Sequence, residues 1–421
     1  MDVDAFESLL TDEGQAVLAA LRDHDPAREL AEVTRLRRDH PPALVSAAVT
    51  QARLRQRAVA KFGAEDARRM YFTPDGVEQA TRASVAAYRA RRFADLGVRT
   101  LADLCCGVGG DALALARAGV RVLAVDRDPL TCAVARANAE ALGLADRIEV
   151  RRADVADVDT SPYDAVFVDP ARRGGRGGAG RSGGTGRAGR TGAAGGPARA
   201  GGQGGGGRIF DPESYSPPLS WAVATARRSP HAALKAAPGL PYEAIPDAAE
   251  AEWISDGGDV KEAVLWFGTA RPGMRRATLL PSGRSLLGAR LPDPSPGPVG
   301  RWLYEPDGAV IRAHLVADVA ARVGGRLIDP TIAYLTADEL RPTPYATAYE
   351  ITDVLPFNLK RLRALLRERE VGVVTIKKRG SAVEPEELRR RLKLEGVNAC
   401  TVVLTRVAGA PTMLLGHPAD C

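Results

Sequence analysis

Apolar positions follow a helical period through the first part of the chain. From Phe6 to about Phe93 they recur at i, i+3 and i+4, most clearly in ALVSAAVTQARLRQRAVAKF and GVEQATRASVAAYRARRFA. That spacing gives each helix one apolar face, and Thr73 followed by Pro74 is a typical helix start. The pattern predicts an all-helical N-terminal domain over residues 1–95.

Short apolar runs replace the helical period from about Val98 to Pro281. Five of them predict strands: VRTLADLC, VRVLAVD, RIEVRRAD, YDAVFVDP and AALKAAP. Between the first strands, DALALARAG and PLTCAVARANAEALG predict helices, and EAEWISDGGDVKEAVLWFG predicts a hairpin that turns at Gly257 and Gly258. Strands that alternate with helices predict an α/β domain with a doubly wound, mostly parallel sheet, which we place at residues 96–285.

A bridge rich in proline and glycine, LPDPSPGPVG, separates this domain from a third region. We assign residues 286–300 to the linker. Beyond it, VGVVTIKKRG, ACTVVLTRV and PTMLLGH predict strands, and EPEELRRRLKLEG predicts a helix. These elements predict a small α+β domain over residues 301–421. Its helix groups four basic residues: Arg389, Arg390, Arg391 and Lys393.

Residues 174–207 consist largely of glycine, alanine and arginine. They are too poor in large apolar side chains to pack a core, so we predict a disordered insertion. Arginine-glycine segments can bind RNA nonspecifically, but we favour a tolerated expansion of a surface loop. The tract holds five arginines and no acid, so the rest of the chain carries +1 of the net charge of +6. Basicity is therefore weak support for a nucleic-acid partner.

The cysteines and the apolar runs exclude several classes of protein. The five cysteines have no CxxC spacing, so we predict reduced thiols and no metal site. No apolar run reaches eighteen residues, and the acidic start MDVDAFESLL is unlike a signal sequence, so we predict a cytoplasmic protein without a membrane partner. Six helical arginines are interpreted as solvated rather than phosphate-binding: Arg53, Arg55, Arg57, Arg89, Arg91 and Arg92.

Four acids follow four successive predicted strands: Asp103, Asp126, Asp154 and Asp169. The carboxyl ends of parallel strands share one edge of the sheet, where α/β proteins bind their ligands. Helix capping could account for Asp103 and Asp126, but it does not account for acids at four strand ends. The sequence therefore predicts a ligand site at this edge.

The loop after the first strand, DLCCGVGGD, narrows the choice of ligand. Its glycines allow close backbone approach, but it has neither the Lys-Ser/Thr of a phosphate loop nor GxGxxG spacing, because Asp111 follows where a helix should open. A ligand with cationic groups and a ribose fits better, and we predict S-adenosyl-L-methionine. Asp103 and the Gly107 loop would face its amino acid moiety, and Asp126 would face its ribose. Asp154 would bind the adenine amine, with Val155 on the ring. The predicted cofactor-binding residues are Asp103, Cys105, Gly107, Gly109, Asp126, Arg127, Asp154, Val155 and Asp169.

Several motifs carry a family resemblance. DLCCGVGGD, VDRDP, ANAEALGLADRIEV and FVDP, in this order, resemble class I S-adenosylmethionine-dependent methyltransferases, and CCGVGG with DRDP is similar to the trimethylguanosine synthase-like RNA enzymes. MYFTPDGVEQATRASVAAYRARRFA, DPARR and LYEPDGAVIRAHL resemble a bacterial group of methyltransferases with a C-terminal THUMP-like domain. The resemblance implies a Rossmann-like class I fold. THUMP domains bind RNA in tRNA-modifying enzymes, so it also implies an RNA substrate.

The resemblance further implies roles at the fourth strand end. Amino-methyltransferases place an acid or amide before a proline there, so Asp169 and Pro170 would orient an acceptor NH2 toward the methyl group. Ala171 and Arg172 stand where that family has a second proline and a stacking aromatic ring. The Arg172 guanidinium can stack on a base or bind a phosphate. For Arg172 and Arg173 the alternative is that they are ordinary solvated loop residues.

The leading hypothesis is a methyltransferase of tRNA or rRNA that acts on an exocyclic base nitrogen. A methyltransferase of small molecules or proteins and a non-catalytic RNA-binding protein with a retained methyltransferase fold are the alternatives. Cytosine-C5 chemistry needs a nucleophilic cysteine, and the fourth-strand loop has none. Cys105 and Cys106 are interpreted as packing residues under the cofactor. The sequence leaves open the oligomeric state, the RNA and the atom methylated.

Overall fold

The computed structural model describes residues 1–172, 211–288 and 291–419. The predicted disordered insertion at 174–207 lies outside the described residues. The N-terminal region is helical, as predicted, and α4 bends at Gly63, whose φ is +77°. Its helices are α1 (Val3–Glu7), α2 (Asp12–Ala20), α3 (Glu29–Leu36), α4 (Pro42–Arg69), α5 (Pro74–Gln79) and α6 (Ala83–Asp95).

An α/β unit follows, with helices between its first strands. Its first elements are β1 (Thr100–Leu104), α7 (Gly110–Arg117), β2 (Arg121–Asp126), α8 (Pro129–Ala141), β3 (Ile148–Arg152), β4 (Ala165–Val168) and β5 (Ala171–Arg172). After the undescribed segment come β6 (Tyr215–Ser216), α9 (Leu219–Ala226), β7 (His231–Ala236), β8 (Glu250–Asp256), β9 (Asp259–Phe267), β10 (Arg275–Leu280) and β11 (Arg284–Gly288).

Nine strands of the described residues form the central sheet, in the order β11-β10-β8-β9-β7-β4-β1-β2-β3. The strands from β3 to β7 in this order are parallel, whereas β9 runs antiparallel between β7 and β8. The predicted doubly wound sheet and the hairpin at Gly257 and Gly258 are therefore confirmed. The sequence pattern missed β10 and β11, which extend the sheet beyond that hairpin.

The C-terminal region has a seven-stranded sheet of its own among the described residues, in the order β13-β14-β12-β15-β18-β17-β16. Its elements are β12 (Trp302–Pro306), α10 (Gly308–Arg312), α11 (Val316–Val323), β13 (Arg326–Asp329), β14 (Ile332–Ala337), β15 (Ala346–Pro356), α12 (Leu359–Glu368), β16 (Val371–Lys378), α13 (Pro385–Leu392), β17 (Asn398–Val407) and β18 (Ala410–Pro418). The sequence pattern found β16, α13, β17 and β18, and it missed the preceding elements of this sheet.

The two faces of the central sheet are covered by different parts of the chain. One apolar cluster joins N-terminal residues such as Phe72 and Phe93 to Phe167 and Trp266 of the sheet. The other joins Trp253 to apolar residues of β12, α10 and α11. The sheet therefore packs between the N-terminal helices and the beginning of the C-terminal region. Among the described residues, no helix has the length and apolarity needed to cross a lipid bilayer.

A buried ion pair network fastens α6 to the sheet. The Arg89 side chain is 1% exposed, and its guanidinium donates to the carboxylates of Asp111 on α7 and Glu262 on β9. Burial by itself lowers the pKa of Arg89, but these two carboxylates outweigh it and raise that pKa. The guanidinium also lies over the Phe167 ring, 4.4 Å from its centroid.

The prediction of solvated helical arginines is wrong for three of the six. The half-buried Arg55 donates its Nε to the Met70 carbonyl at 2.9 Å. Arg89 is buried as described, and Arg92 forms ion pairs with the buried carboxylates of Glu250 and Glu252. Both side chains lie on the face of α6 that packs against the sheet, and acids far along the chain meet them there. Arg53, Arg57 and Arg91 are exposed.

We predict that Arg89→Met destabilises the fold by about 3–5 kcal/mol, because it leaves two buried carboxylates without their cation. Urea unfolding followed by circular dichroism measures this free energy. Arg91→Met, an exposed neighbour on the same helix, is the matched control and should change it by less than about 0.5 kcal/mol. Equal stability of the two variants would show that the buried network does not hold α6.

Candidate functional site

The predicted acids gather at one edge of the sheet. The chain passes from β1 outward to β2 and β3, and then returns to β4 on the other side of β1. Ligands of α/β proteins bind at the carboxyl ends of the strands where the strand order reverses in this way. Asp103 lies in β1, Asp126 ends β2, and Asp154 and Asp169 follow β3 and β4.

The loop between β1 and α7 has an unusual backbone. Cys105, Gly107 and Gly109 have positive φ angles of 68°, 56° and 85°. The Cys106 amide donates to the Val125 carbonyl at 3.0 Å, which fixes the loop against β2. The sequence suggested that no helix begins before Asp111, and this expectation is wrong. The helix α7 begins at Gly110, because Gly109 supplies the left-handed turn that starts it.

Asp103 has a buried carboxylate without a partner. It is 1% exposed, and neither oxygen accepts a hydrogen bond from the described residues. Burial, followed by the nearby carboxylates of Asp111 and Asp169, raises the pKa of Asp103 well above its usual range. A bound cationic group would satisfy this carboxylate. The ammonium group of S-adenosyl-L-methionine is such a group, so the residues present fit this cofactor.

Asp126 is held in place by backbone amides, one of which lies in the loop between β1 and α7. Its Oδ2 accepts from the Gly107 amide at 3.2 Å, and its Oδ1 accepts from the Asp128 amide at 3.0 Å. Burial raises its pKa, and these backbone hydrogen bonds oppose the shift. The neighbouring Arg127 is exposed. These hydrogen bonds orient the Asp126 carboxylate, so this acid at the end of β2 is suited to bind vicinal hydroxyl groups.

Asp154 lies farther out along the same edge. It is exposed, and its Oδ1 accepts from the Ala156 amide at 3.0 Å, at the start of a short 3-10 turn. Val155 in that turn is half-buried. The structure therefore places Asp154 and Val155 at the rim of the site rather than in its interior.

Asp169 has a cationic partner that sequence reasoning missed. Its Oδ2 accepts from the Lys235 ammonium at 2.7 Å, and the same ammonium donates to the Thr81 hydroxyl at 2.9 Å. Burial lowers the pKa of Lys235, but the carboxylates of Asp169, Glu262 and Asp111 outweigh it and raise that pKa. Lys235 therefore stays protonated. The one sequence signal was a single lysine inside the buried strand AALKAAP.

The residues after Pro170 form a short ribbon. Ala171 pairs with Ser216 and Arg172 pairs with Tyr215, so β5 and β6 are antiparallel neighbours beside the site. This pairing fixes the backbone of Arg172 three residues beyond Asp169. The side chain of Arg172 and the whole of Arg173 lie outside the described part of the chain.

The geometry defines a class of protein. A parallel sheet with reversing strand order, a glycine loop over an unpartnered buried acid and an Asp-Pro step after β4 define a Rossmann-like methyltransferase. A family model for a methyltransferase domain matches residues 101–170, and a THUMP domain-like model matches residues 346–418. A domain model of unknown function matches residues 2–58.

Whole-chain similarity agrees with this class. An uncharacterized S-adenosylmethionine-dependent methyltransferase from Mycobacterium tuberculosis is 36% identical over 364 residues, which are 84% of this chain and 90% of that protein. A crystal structure of a proposed methyltransferase from Porphyromonas gingivalis has a TM-score of 0.73 at 21% identity and covers 96% of this chain and 99% of its own. A 23S rRNA uracil-C5 methyltransferase from Acidithiobacillus ferrooxidans is 38% identical, but over only 17% of this chain and 18% of its own.

The chain belongs to the family of S-adenosylmethionine-dependent methyltransferases. It is an enzyme, and its cofactor is S-adenosyl-L-methionine. The predicted THUMP-like region is likewise confirmed by the match at residues 346–418.

We predict that Cys105 and Cys106 react slowly with iodoacetamide at pH 8 in the folded protein. Burial, followed by nearby carboxylates including Asp103 and Asp126, raises the pKa of both thiols, so little reactive thiolate is present. Mass spectrometry of alkylated peptides measures the rates, and the same cysteines in guanidinium-unfolded protein are the control. Rapid alkylation of Cys105 in the folded protein would contradict this prediction and would make Cys105 a candidate nucleophile.

Proposed function

We propose that the protein methylates an exocyclic nitrogen of a base in tRNA or rRNA. The observation that carries the proposal is Asp169, whose carboxylate is fixed by Lys235 at the strand end where the methyl acceptor would bind. The THUMP-like match and the short match to an rRNA methyltransferase support RNA as the substrate.

The cofactor contacts of the proposal follow the geometry of the edge. Asp103 would bind the ammonium group of the cofactor, and the backbone from Cys105 to Gly109 would cradle its amino acid moiety. Asp126 would accept from the ribose hydroxyls, with Arg127 beside it. Asp154 and Val155 would bind the adenine at the rim.

The transfer step uses Asp169 to orient the acceptor. Its Oδ2 is taken by Lys235, so Oδ1 can accept from the acceptor NH2 and direct the nitrogen lone pair toward the methyl group. When bound, S-adenosyl-L-methionine supplies a methyl group on a positively charged sulfur. Transfer of that methyl group would form a carbon–nitrogen bond as the carbon–sulfur bond breaks with its electron pair left on sulfur, and the acceptor nitrogen would then lose one proton to water. Pro170 would hold the turn, and Arg172 would contact the base or a phosphate.

Carbon-5 methylation of a pyrimidine is less compatible with this site. That chemistry needs a thiolate next to the acceptor. Cys105 and Cys106 lie in the loop between β1 and α7, which we call the cofactor loop, and burial raises the pKa of both thiols. The residues beside Asp169 support methylation of an amine nitrogen that the carboxylate orients.

The decisive experiment compares RNA from a strain that lacks the gene with RNA from its parent. Nucleoside mass spectrometry should show one N-methylated base lost in the deletion strain, and the purified enzyme with S-adenosyl-L-methionine should restore it. Methyl transfer to a small-molecule or protein fraction without any change in RNA would replace the RNA proposal by the first alternative. Absence of cofactor binding in calorimetry would favour the non-catalytic alternative.

We predict that Asp126→Ala and Asp169→Ala affect different steps. Loss of the Asp126 carboxylate removes hydrogen bonds from the cofactor and should raise its Kd about 10- to 100-fold, equivalent to about 1.4–2.8 kcal/mol. Asp169→Ala should leave that Kd within about twofold and reduce turnover at saturating cofactor at least 100-fold. Calorimetry and single-turnover assays measure the two effects. Equal losses of cofactor affinity would show that the roles are divided wrongly.

Lys235→Met should lower kcat about 10- to 100-fold with little change in cofactor Kd, because Asp169 loses the ammonium that fixes it. Lys235→Arg should recover part of the loss. Lys235 stays protonated, so it should contribute no alkaline limb to the pH–kcat profile below about pH 10. Arg117→Met, which breaks the ion pair with Asp66 at the far end of α7, is the control. A proportional loss of folded protein in Lys235→Met would assign this lysine a structural role only.

A further inference from the structure

An open cavity of about 630 Å³ lies beside the N-terminal helices, away from the cofactor loop. Its walls come from α2, the residues that follow α2, α4 and the end of α8. We name it the basic cavity after its four arginines, which are Arg22, Arg55, Arg68 and Arg69.

The bend in α4 forms this cavity. Arg55 precedes the bend at Gly63, and Arg68 and Arg69 follow it. The φ of +77° at Gly63 is one that side-chain-bearing residues rarely adopt, so glycine is suited to this position. The bend lets both segments of α4 line the same space.

Two of the arginines are held in place by backbone carbonyls. Arg55 donates its Nε to the Met70 carbonyl at 2.9 Å, and its guanidinium lies 4.8 Å from the centroid of the Tyr71 ring. Arg69 donates to the Ala141 carbonyl at the end of α8. A guanidinium has five N–H donors, and these contacts leave some of them available to a ligand.

The charges of the lining favour an anion. Arg22 and Arg68 are exposed and form no side-chain hydrogen bond or ion pair within the described residues. Asp23 is the one carboxylate of the described lining, against four guanidinium groups. The nearby acids Glu29 and Asp66 are paired with Arg53 and Arg117. The cavity therefore carries excess positive charge.

The basic cavity lies at the opposite end of α8 from the cofactor site. The helix starts at Pro129, three residues after Asp126, and reaches the cavity at Ala141. Thirteen residues of α-helix span roughly 20 Å, so one small ligand cannot occupy both places. Tyr71 of the cavity wall is nevertheless linked to the cofactor loop, because the Asn138 side chain bonds both the Tyr71 backbone and the Val108 carbonyl.

We propose that the basic cavity binds a phosphate group. Planar guanidinium groups that converge on one space are suited to bidentate hydrogen bonding with phosphate oxygens. The phosphate belongs either to the backbone of an RNA or to a free phosphate-bearing molecule. The proposal does not depend on RNA being the methylated substrate.

The test uses the full-length double variant Arg22→Gln/Arg68→Gln. These two arginines have no hydrogen-bond or ion-pair partner among the described residues, so thermal unfolding of the variant should match that of the parent. Arg37→Gln/Arg38→Gln removes the same charge from exposed positions just after α3, outside the lining, and is the matched control. The probes are inorganic pyrophosphate, measured by calorimetry, and a fluorescent 20-nucleotide RNA, measured by anisotropy at several salt concentrations.

We expect Arg22→Gln/Arg68→Gln to weaken pyrophosphate binding at least tenfold relative to the control. If the phosphate comes from RNA, RNA affinity also falls, and the slope of log K against log salt concentration decreases by about 1.4 for two lost contacts with a single strand. Loss of pyrophosphate binding with unchanged RNA binding identifies a free phosphate-bearing ligand. If the variant and the control bind both probes equally, the proposal is overturned.

Discussion

The buried guanidinium of Arg89 joins α6, α7 and β9, the last of which lies far along the chain from the other two. It sits between the carboxylates of Asp111 on α7 and Glu262 on β9, and it is presented by α6 of the N-terminal region. Leaving this buried cation without its partners would be costly, so the position of α6 is tied to these two acids. Since α7 begins in the cofactor loop, the N-terminal helices help to set the shape of the site.

The same network explains why the site suits its cofactor. Asp103, Asp111, Asp169 and Glu262 lie close enough to influence one another, whereas Arg89 and Lys235 supply the cations among them. The four acids outnumber these two cations, and Asp103 has no hydrogen-bond partner among the described residues. A cofactor that carries an ammonium and a sulfonium group offsets this excess. The acids that would bind the cofactor are thus among those whose charge the cofactor would balance.

The features that could be predicted correctly from the sequence are those that have a local pattern. The strand-end acids, the helical N-terminus and the hairpin at Gly257 all follow from short-range periodicity, and they were predicted. Arg89 was misinterpreted because its partner Glu262 lies 173 residues away and leaves no local signal. Lys235 was missed for the same reason, since its significance depends on a strand pairing that places it beside Asp169. The early strands of the C-terminal sheet lacked a sufficiently clear alternation.

The two covered faces of the central sheet have a consequence for synthesis of the chain. The N-terminal helices are already made when the sheet forms, so one face can be buried at once. The other face is covered in part by α9, and it also needs Tyr304 and the apolar side of α11, which ends at Val323, 35 residues after β11 ends at Gly288. At about 5–20 residues per second the ribosome takes roughly 2–7 s to add them. During that interval the nascent sheet exposes an apolar surface, and translation speed over this stretch governs its exposure to aggregation and to chaperones.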